Sequence, residues 1–479
     1  MTDSPDAVPA EAQASVFGRV PVRLAEREYG TLSAHGTCFA YAIATWCFLV
    51  GGYAAELVGA LQGMVCLIAG NLIGVFLTTM PVSLGCQRYG LEQMDFCKPA
   101  FGQYGSNVIL IFYLINMLGW SGLILVMFGN GVHNIIATIG YDPGEWMVSL
   151  GVALGIWLSY LIVTRGVHLL GICNDIITPV LGLVVAFMFY MLISHYGWDA
   201  IVSARPLNPG PDPLTNYAIV VELGIANGFS WWGGIGFLAR NTRTRRNAVY
   251  PEIIQLGLSS GVVSSIALFS ALVVQSDDPT QWMVPLGGVY MGVMALIFVA
   301  LANVTSTAVS LFASGLALRH IPFLRGRSWP QIIVVTIIPC AFFVIWPQEL
   351  YDYGNAFLAY NGTMYAPISG VLFVDYFFVR RARLTLRAIF ENAPGSEYYY
   401  WKGFNVLGLG AVVLGQCAYV YLYNPFNGET DWLFDYIPAS VGAFFVPAIA
   451  YWIGARVLNL HQSERARRPA AARLHSPNI

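Results

Sequence analysis

The chain repeats one device about twelve times: an apolar run of about 20 residues or more, closed by a short polar connection. A helix of that length crosses roughly 30 Å of hydrocarbon. In lipid only helices and closed barrels satisfy every backbone polar group, and these runs lack the two-residue alternation of a barrel strand. An all-α polytopic membrane protein is therefore expected. Composition agrees, with 57% hydrophobic and only 10% charged residues among 479, far from the quarter charged of a soluble domain. The spans read as 34–58, 60–80, 106–136, 146–164, 170–193, 218–239, 252–274, 286–316, 329–346, 352–378, 403–424 and 434–457. Residues 1–33 are polar, mix both signs of charge and lack an apolar centre, so they do not read as a cleavable signal peptide.

Basic residues set the expected orientation. Of the 24 lysines and arginines, 22 fall in the two terminal tails or in loops that follow even-numbered spans, and Arg456 lies in the last turn of span twelve on the same side. Arg240, Arg243, Arg245 and Arg246 follow span six, and Arg380, Arg381, Arg383, Arg387 and Lys402 follow span ten. Only Arg205 lies in a loop after an odd-numbered span. The positive-inside rule then puts both termini in the cytoplasm, with the chain in the inner or plasma membrane. Termini on one side need an even number of crossings, which twelve supplies.

Several functions are disfavoured by what the chain lacks. Its eight cysteines are scattered without a CxxC or mixed His/Cys set. No nucleophile elbow or nucleotide-binding loop appears, which argues against an enzyme. No repeated filter-like loop points to a channel. The formal net charge of −2 says little, because the useful asymmetry is across the membrane, and no nucleic-acid partner is expected.

Polar and glycine-rich interruptions inside spans carry the functional signal. Span one runs Trp46-Cys47-Phe48-Leu49-Val50-Gly51-Gly52-Tyr53, and span six runs Asn227-Gly228-Phe229-Ser230-Trp231-Trp232-Gly233-Gly234. If spans 1–5 and 6–10 are two halves, these occupy matching positions, and an odd number of helices per half makes the second half inverted. Paired breaks in corresponding spans mark a carrier's midplane site, where unwound carbonyls hold a cation. The alternative is close helix packing through small residues. Span eight supplies Thr305 and Ser306, hard oxygen donors for a small alkali cation, although such hydroxyls can instead bond their own helix. Trp120 in span three, flanked by Gly119 and Gly122, offers an indole face, and Trp231 or Trp232 would form the opposite wall for a flat ring. Of the acidic residues within spans, Glu56, Asp175 and Glu222, only Glu56 lies near the expected break, as a proton or gating group. Asn130 and His133 are weaker candidates at the outer end of span three. Asp375, just before Arg380-Arg381, reads as a structural salt bridge or cap.

The run Ala366-Pro367-Ile368-Ser369-Gly370-Val371-Leu372-Phe373-Val374-Asp375-Tyr376-Phe377-Phe378-Val379-Arg380-Arg381 resembles the end of helix ten in the nucleobase:cation symporter-1 family. Gly70-Asn71-Leu72-Ile73-Gly74 resembles that family's helix-two motif, and Gly119-Trp120 its helix-three motif. The resemblance runs from about residue 20 to 457. It implies a LeuT-like fold of two inverted five-helix repeats (34–193 and 218–378), joined by an outer connection 194–217. A cytoplasmic connection 379–402, two additional helices in 403–457 and a tail 458–479 would follow. It also implies inward symport of a nucleobase or related ring with Na+ or H+ as coupling ion, no organic cofactor, and a monomer in the lipid bilayer.

Carried over residue by residue, the stacking tryptophans fall on Trp120 and Trp231, with Ser230 one residue away. The helix-eight cation ligands fall on the Ala302 carbonyl, Thr305 and Ser306, and the helix-one carbonyls between Thr45 and Leu49. Three departures stand out. Ile124 replaces a glutamine found in several members, Leu311 (or Ser310) replaces an asparagine, and Leu238-Ala239-Arg240 replaces Pro-Asp-Phe. A dry site without those amides reads a paired donor and acceptor edge poorly. This implies a less usual heterocycle, or else an amino acid or other small nitrogenous solute.

Overall fold

A computed structural model of the protein describes residues 20–460, apart from 44, 142, 166, 320, 325 and 459. The outer parts of both expected tails, with Arg19, Arg465, Arg467, Arg468 and Arg473, and Arg325 lie outside the described residues. Among the described residues the chain is helical, with isolated β-bridges and no named strand.

The principal helices are α1 (Thr31–Ala42), α2 (Trp46–Leu57), α3 (Ala60–Tyr89), α4 (Gln93–Phe101), α5 (Gly105–Thr138), α6 (Trp146–Thr164) and α7 (Val167–Met191). The second half holds α8 (Pro213–Ser230), α9 (Trp232–Arg240), α10 (Arg245–Val274) and α11 (Met283–Leu318). It continues with α12 (Trp329–Ile345), α13 (Pro347–Asp352), α14 (Gly354–Val379), α15 (Val406–Leu422) and α16 (Ala439–Val457). Among the described residues eight single helices are long and apolar enough to cross a membrane, and counting the α1–α2 pair, bent by 50°, as one span brings the number to nine. The expected spans six, nine and eleven correspond to the interrupted α8–α9 pair and to the shorter apolar helices α12 and α15.

Local chemistry sets several boundaries. Asp212 caps α8 by accepting from the Leu214 N–H at 2.9 Å, and Pro213 fills the first turn, where no N–H is needed. Gly90 ends α3 in the left-handed conformation at φ 66°, and Gly288 (φ 69°) kinks α11. The π-helical segment Glu252–Ser259 of α10 leaves carbonyls without regular helix partners. The Asn71 amide satisfies two of these, donating to the Leu256 and Gly257 carbonyls at 2.7 and 2.6 Å.

That contact explains the glycines on either side of Asn71. A Cβ on Gly70 would strike the Val221 carbonyl, and one on Gly74 the Ile225 carbonyl. Bare backbone lets α3 meet Gly224 and Gly228 of α8, while Asn227 Nδ2 donates to Asn71 Oδ1 at 3.0 Å.

One end of the bundle is basic. The N-terminal segment pairs with the residues after α9, through Tyr29 N–H to the Asn241 carbonyl and the Arg27 guanidinium to the Thr242 carbonyl. There Arg380 reaches Asp375 Oδ2 at 2.7 Å and the Pro99 carbonyl at 2.8 Å, while the Tyr451 hydroxyl donates to Asp375 Oδ1 at 2.8 Å. Asp375 is thus a buried structural ion pair tying α14 to α4 and α16. At the far end, the Leu207 and Asn208 N–H groups bond the Ala55 and Glu56 carbonyls, and an acidic loop at Asp277-Asp278 covers α2.

The break expected at Gly51-Gly52 is displaced. Those glycines sit in regular α2, and the chain leaves helical geometry earlier, at Ile43 (φ −92°, ψ 53°), with Thr45 back at helical angles (φ −65°, ψ −19°). A Cβ on Gly51 would overlap the Ser264 carbonyl of α10, and one on Gly52 the Asp277 carbonyl. Close packing is therefore their role. Gly233-Gly234 likewise lie inside α9, and α8 and α9 meet just before them at Trp231, which keeps helical angles (φ −66°, ψ −13°).

Candidate functional site

Two apolar cores fill the bundle, one around α2, α5, α10 and α11, the other around α8, α9 and α14 to α16. Trp46 packs against both. It is the first residue of α2 after the break, so the interruption of helix one delivers an indole between the two halves. Around it lies a cavity of about 170 Å³ walled by Trp46, Trp120 and Trp231. An engineered cavity of about 150 Å³ holds benzene, so this volume suits one small ring.

The three indoles meet edge to face. Trp46 and Trp120 have centroids 6.0 Å apart at 64°, and Trp46 and Trp231 are 5.4 Å apart at 77°. Trp120 also meets Phe357 of α14 edge-on at 5.4 Å and 83°. The Trp46 and Trp231 indole nitrogens are buried without a hydrogen-bond partner, donors that an acceptor on a ring could use. Gly234 has nothing within 4 Å of a built Cβ, so its missing side chain widens the cavity.

Several expected residues line this space. Trp120, Trp231, Ser230 and Ser310 do so, with the Ser230 hydroxyl turned to the Asn227 carbonyl at 2.5 Å. Others are brought elsewhere. Trp232 is fully buried and stacks on Tyr365 at 4.9 Å and 13°, so only the first indole of the Trp-Trp pair forms a wall. Ile124 is buried in packing away from the cavity. Leu311 faces a separate space with Met117, Ser121 and Cys340, which leaves Ser310 as the helix-eight side chain at the slot. Gly51 and Gly52 do not reach it.

The cavity continues past Phe237 to Glu92, Arg240 and Arg319 at the basic end. Sequence reasoning assigned no role to Trp46, Glu92 or Arg319. The signal available for Trp46 was its place at the start of the span-one run, but without the position of the break it could not be aimed.

Toward the opposite end, Phe357 stands against Trp120, and a Cβ on Gly354 would strike the Tyr53 hydroxyl. These contacts separate the slot from a second cavity that Tyr53 and Glu56 line. Glu56 therefore lies in that second cavity and does not border the slot.

The oxygen groups proposed for a cation divide between two elements. Thr45 is fully buried at the break and its Oγ1 has no hydrogen-bond partner. Its carbonyl accepts from Phe48 N–H at 3.0 Å, and Leu49 is core. On α11, Thr305 Oγ1 donates to the Ala302 carbonyl at 3.0 Å, with Ser306 half-buried beside it. Hydroxyl and carbonyl oxygens are the donors that hard cations take, so the chemistry of the set fits an alkali ion. The Thr305 oxygen keeps its lone pairs while it donates, and the Ala302 carbonyl has a second one, so both can face a cation with that bond intact.

A bent helix one and a helix six divided at Trp231, around a slot between two packed cores, are the arrangement of a secondary carrier. A family model for permeases for cytosine/purines, uracil, thiamine and allantoin matches residues 21–454, and the chain belongs to that family. This is a family of transport proteins, not enzymes. A hydantoin permease from Microbacterium maritypicum is 24% identical over 405 residues, 81% of each chain. The inward-facing conformation of Mhp1 superposes with a TM-score of 0.77 at 19% identity, covering 94% of this chain and 97% of that one. A closed conformation of Mhp1, a nucleobase-cation-symport-1 family transporter with bromovinylhydantoin bound, gives 0.71 at 20% identity over 92% and 96%. The fold is the LeuT-like arrangement of two inverted repeats with additional helices.

Proposed function

We propose that the protein imports a planar nitrogen heterocycle by sodium symport, holding the ring between Trp120 and Trp231 with Trp46 across its edge. The observation that carries this reading is the three-indole slot at the interruptions of helices one and six. A similar protein is named a hydantoin permease, and another binds bromovinylhydantoin, both flat rings. Here Ile124 and Leu311 supply no amide, so recognition rests on stacking, on the free indole N–H groups and on Ser310. Sodium is favoured over a proton because the ligand set is hydroxyls and carbonyls, with no carboxylate among Thr45, Ala302, Thr305 and Ser306.

In this reading both termini and the basic end face the cytoplasm, and the slot is reached from that side. Repeats 34–193 and 218–378 rock about the slot, with 403–457 outside them, and the monomer suffices. Sodium bound by the Thr305 hydroxyl and the Ala302 carbonyl draws α11 toward Thr45, completing the slot on its outer-facing side. Coupling follows because each ligand then binds better when the other is present.

The test is tracer uptake into proteoliposomes under a sodium gradient, a pH gradient or neither. Uptake should rise with the sodium gradient alone, and uptake indifferent to both gradients overturns symport. Replacing Thr305 with alanine should raise the sodium concentration for half-maximal uptake by about tenfold, within the usual range of coupling energies.

A further inference from the structure

The second cavity is as distinctive as the slot. Its volume is about 540 Å³, and Glu56, Glu145, Asp277, Asp278 and Asp352 line it. None of its described lining residues is lysine or arginine, although His133 also borders it. A concave surface of one sign between low-dielectric walls concentrates counter-ions strongly. Burial holds the Asp278 carboxyl above its ordinary range against the pull of its Thr280 hydrogen bonds, and neighbouring Asp277 adds to the rise.

Two independent features point to a ligand. The hydroxyls of Tyr53 and Tyr351 are buried, line this cavity and have no hydrogen-bond partner. Their side chains are 7% and 6% exposed. Tyr351 faces Asp278, Tyr53, Asp277 and Asp352 electrostatically, so both hydroxyls sit among the carboxylates. A buried hydroxyl left unmatched is costly, and a cationic ring that carries an amide N–H satisfies it while the ring charge neutralises the carboxylates. The ligand is not a chelated metal, because among the described residues no three acidic, histidine or cysteine groups converge as metal ligands. The site is also firmly built, since Gly52 lies directly against the Asp277 carbonyl and Asp278 caps the turn at Thr280, accepting from its N–H at 2.9 Å.

We propose that this cavity is an outer binding site for an organic monocation, selecting a positively charged heterocycle before it reaches the indole slot. The slot suits such a ring, because a cation over an indole face is attracted by the ring quadrupole. The proposal deepens the transport reading and rests on it for the cavity's outward orientation and for the onward passage of the ring.

Binding to the purified full-length protein tests it by isothermal titration with 1-methylnicotinamide, a permanent cation, and nicotinamide, its neutral counterpart. The cation should bind at least about tenfold more tightly at low salt, and the preference should shrink between about 50 and about 500 mM salt. Asp277→Asn together with Asp352→Asn should bring the two affinities within about twofold while neutral-ring binding holds. Equal affinities in the unmodified protein, or a preference that survives both substitutions, overturns the proposal. If the double variant does not fold, the salt series on the unmodified protein decides, and a salt-independent preference counts against it. Sodium displacing the probe at equal concentration would make this an inorganic-cation site and overturn the organic assignment. Cation preference without vesicle uptake of any ring would sink the transport reading alone, whereas uptake of the neutral ring without cation preference would sink this proposal alone.

Discussion

Replacing Trp120 with alanine should weaken ring binding by about 100-fold while the protein remains folded. Stacking of a base on an aromatic side chain is worth about 1–3 kcal/mol, and about 2.7 kcal/mol corresponds to 100-fold in affinity. Trp120 sits at the upper end because it does two jobs. Its face bounds the slot, and its edge contacts with Trp46 and Phe357 fix the orientation of that face. Truncation leaves Trp46 unsupported on one side, so the remaining walls lose their registration. Phenylalanine at the same place should recover part of the affinity, because it restores a flat face of smaller area. Equilibrium titration with a ring identified by uptake is the check, and circular dichroism separates lost binding from lost fold.

The second large effect is on stability. Gly74→Leu should cost more than about 4 kcal/mol and prevent recovery of folded protein, since overpacking here has no flexible neighbour to move. The new side chain would enter the Ile225 carbonyl and the backbone of Gly228. Pushing α3 and α8 apart would also break the Asn71–Asn227 bond and uncover the Leu256 and Gly257 carbonyls. Folded yield and thermal unfolding in detergent measure this. Gly234→Ala is the matched control, with open space at its Cβ and no expected loss.

The contrast between Gly74 and Gly234 shows what a sequence can and cannot say about membrane glycines. Crossing helices were legible because segment length and apolar composition are direct consequences of bilayer thickness. The family motif at Gly70-Asn71 was legible as a pattern, and the structure supplies its cause in the α3–α8 contact. Adjacent glycines were ambiguous, since the same residues permit unwinding and permit close approach. Gly51 and Gly52 serve approach. The real interruption has no glycine or proline at Ile43 or Thr45, and it is held by tertiary contacts instead. Cys47 Sγ donates to the Ala42 carbonyl at 3.2 Å and meets Ser260 Oγ of α10 at the same distance. Such support cannot be read from the segment itself.

The slot was half legible for the same reason. Trp120, Trp231, Ser230 and Ser310 line it and were named from the sequence, two of them as register alternatives. Trp46 was hidden because its direction depends on where helix one breaks. Ile124 and Leu311 were offered by alignment to positions that carry amides in relatives, yet here their apolar side chains turn into packing and a neighbouring space. Once the amide is gone, nothing polar holds such a side chain toward the substrate.

In alternating access the indole-walled cavity is reached from one face of the membrane at a time. Gly234→Cys, in a background without reactive native thiols, places a thiol in that cavity without displacing a neighbour. Labelling it with a membrane-impermeant maleimide in oriented vesicles is the most direct measurement. Modification should come from the basic face, be slowed by the transported ring, and reach the thiol from the opposite face only when opening to that side is favoured. Equal labelling from both faces under one condition, or labelling that the ring never slows, would contradict it.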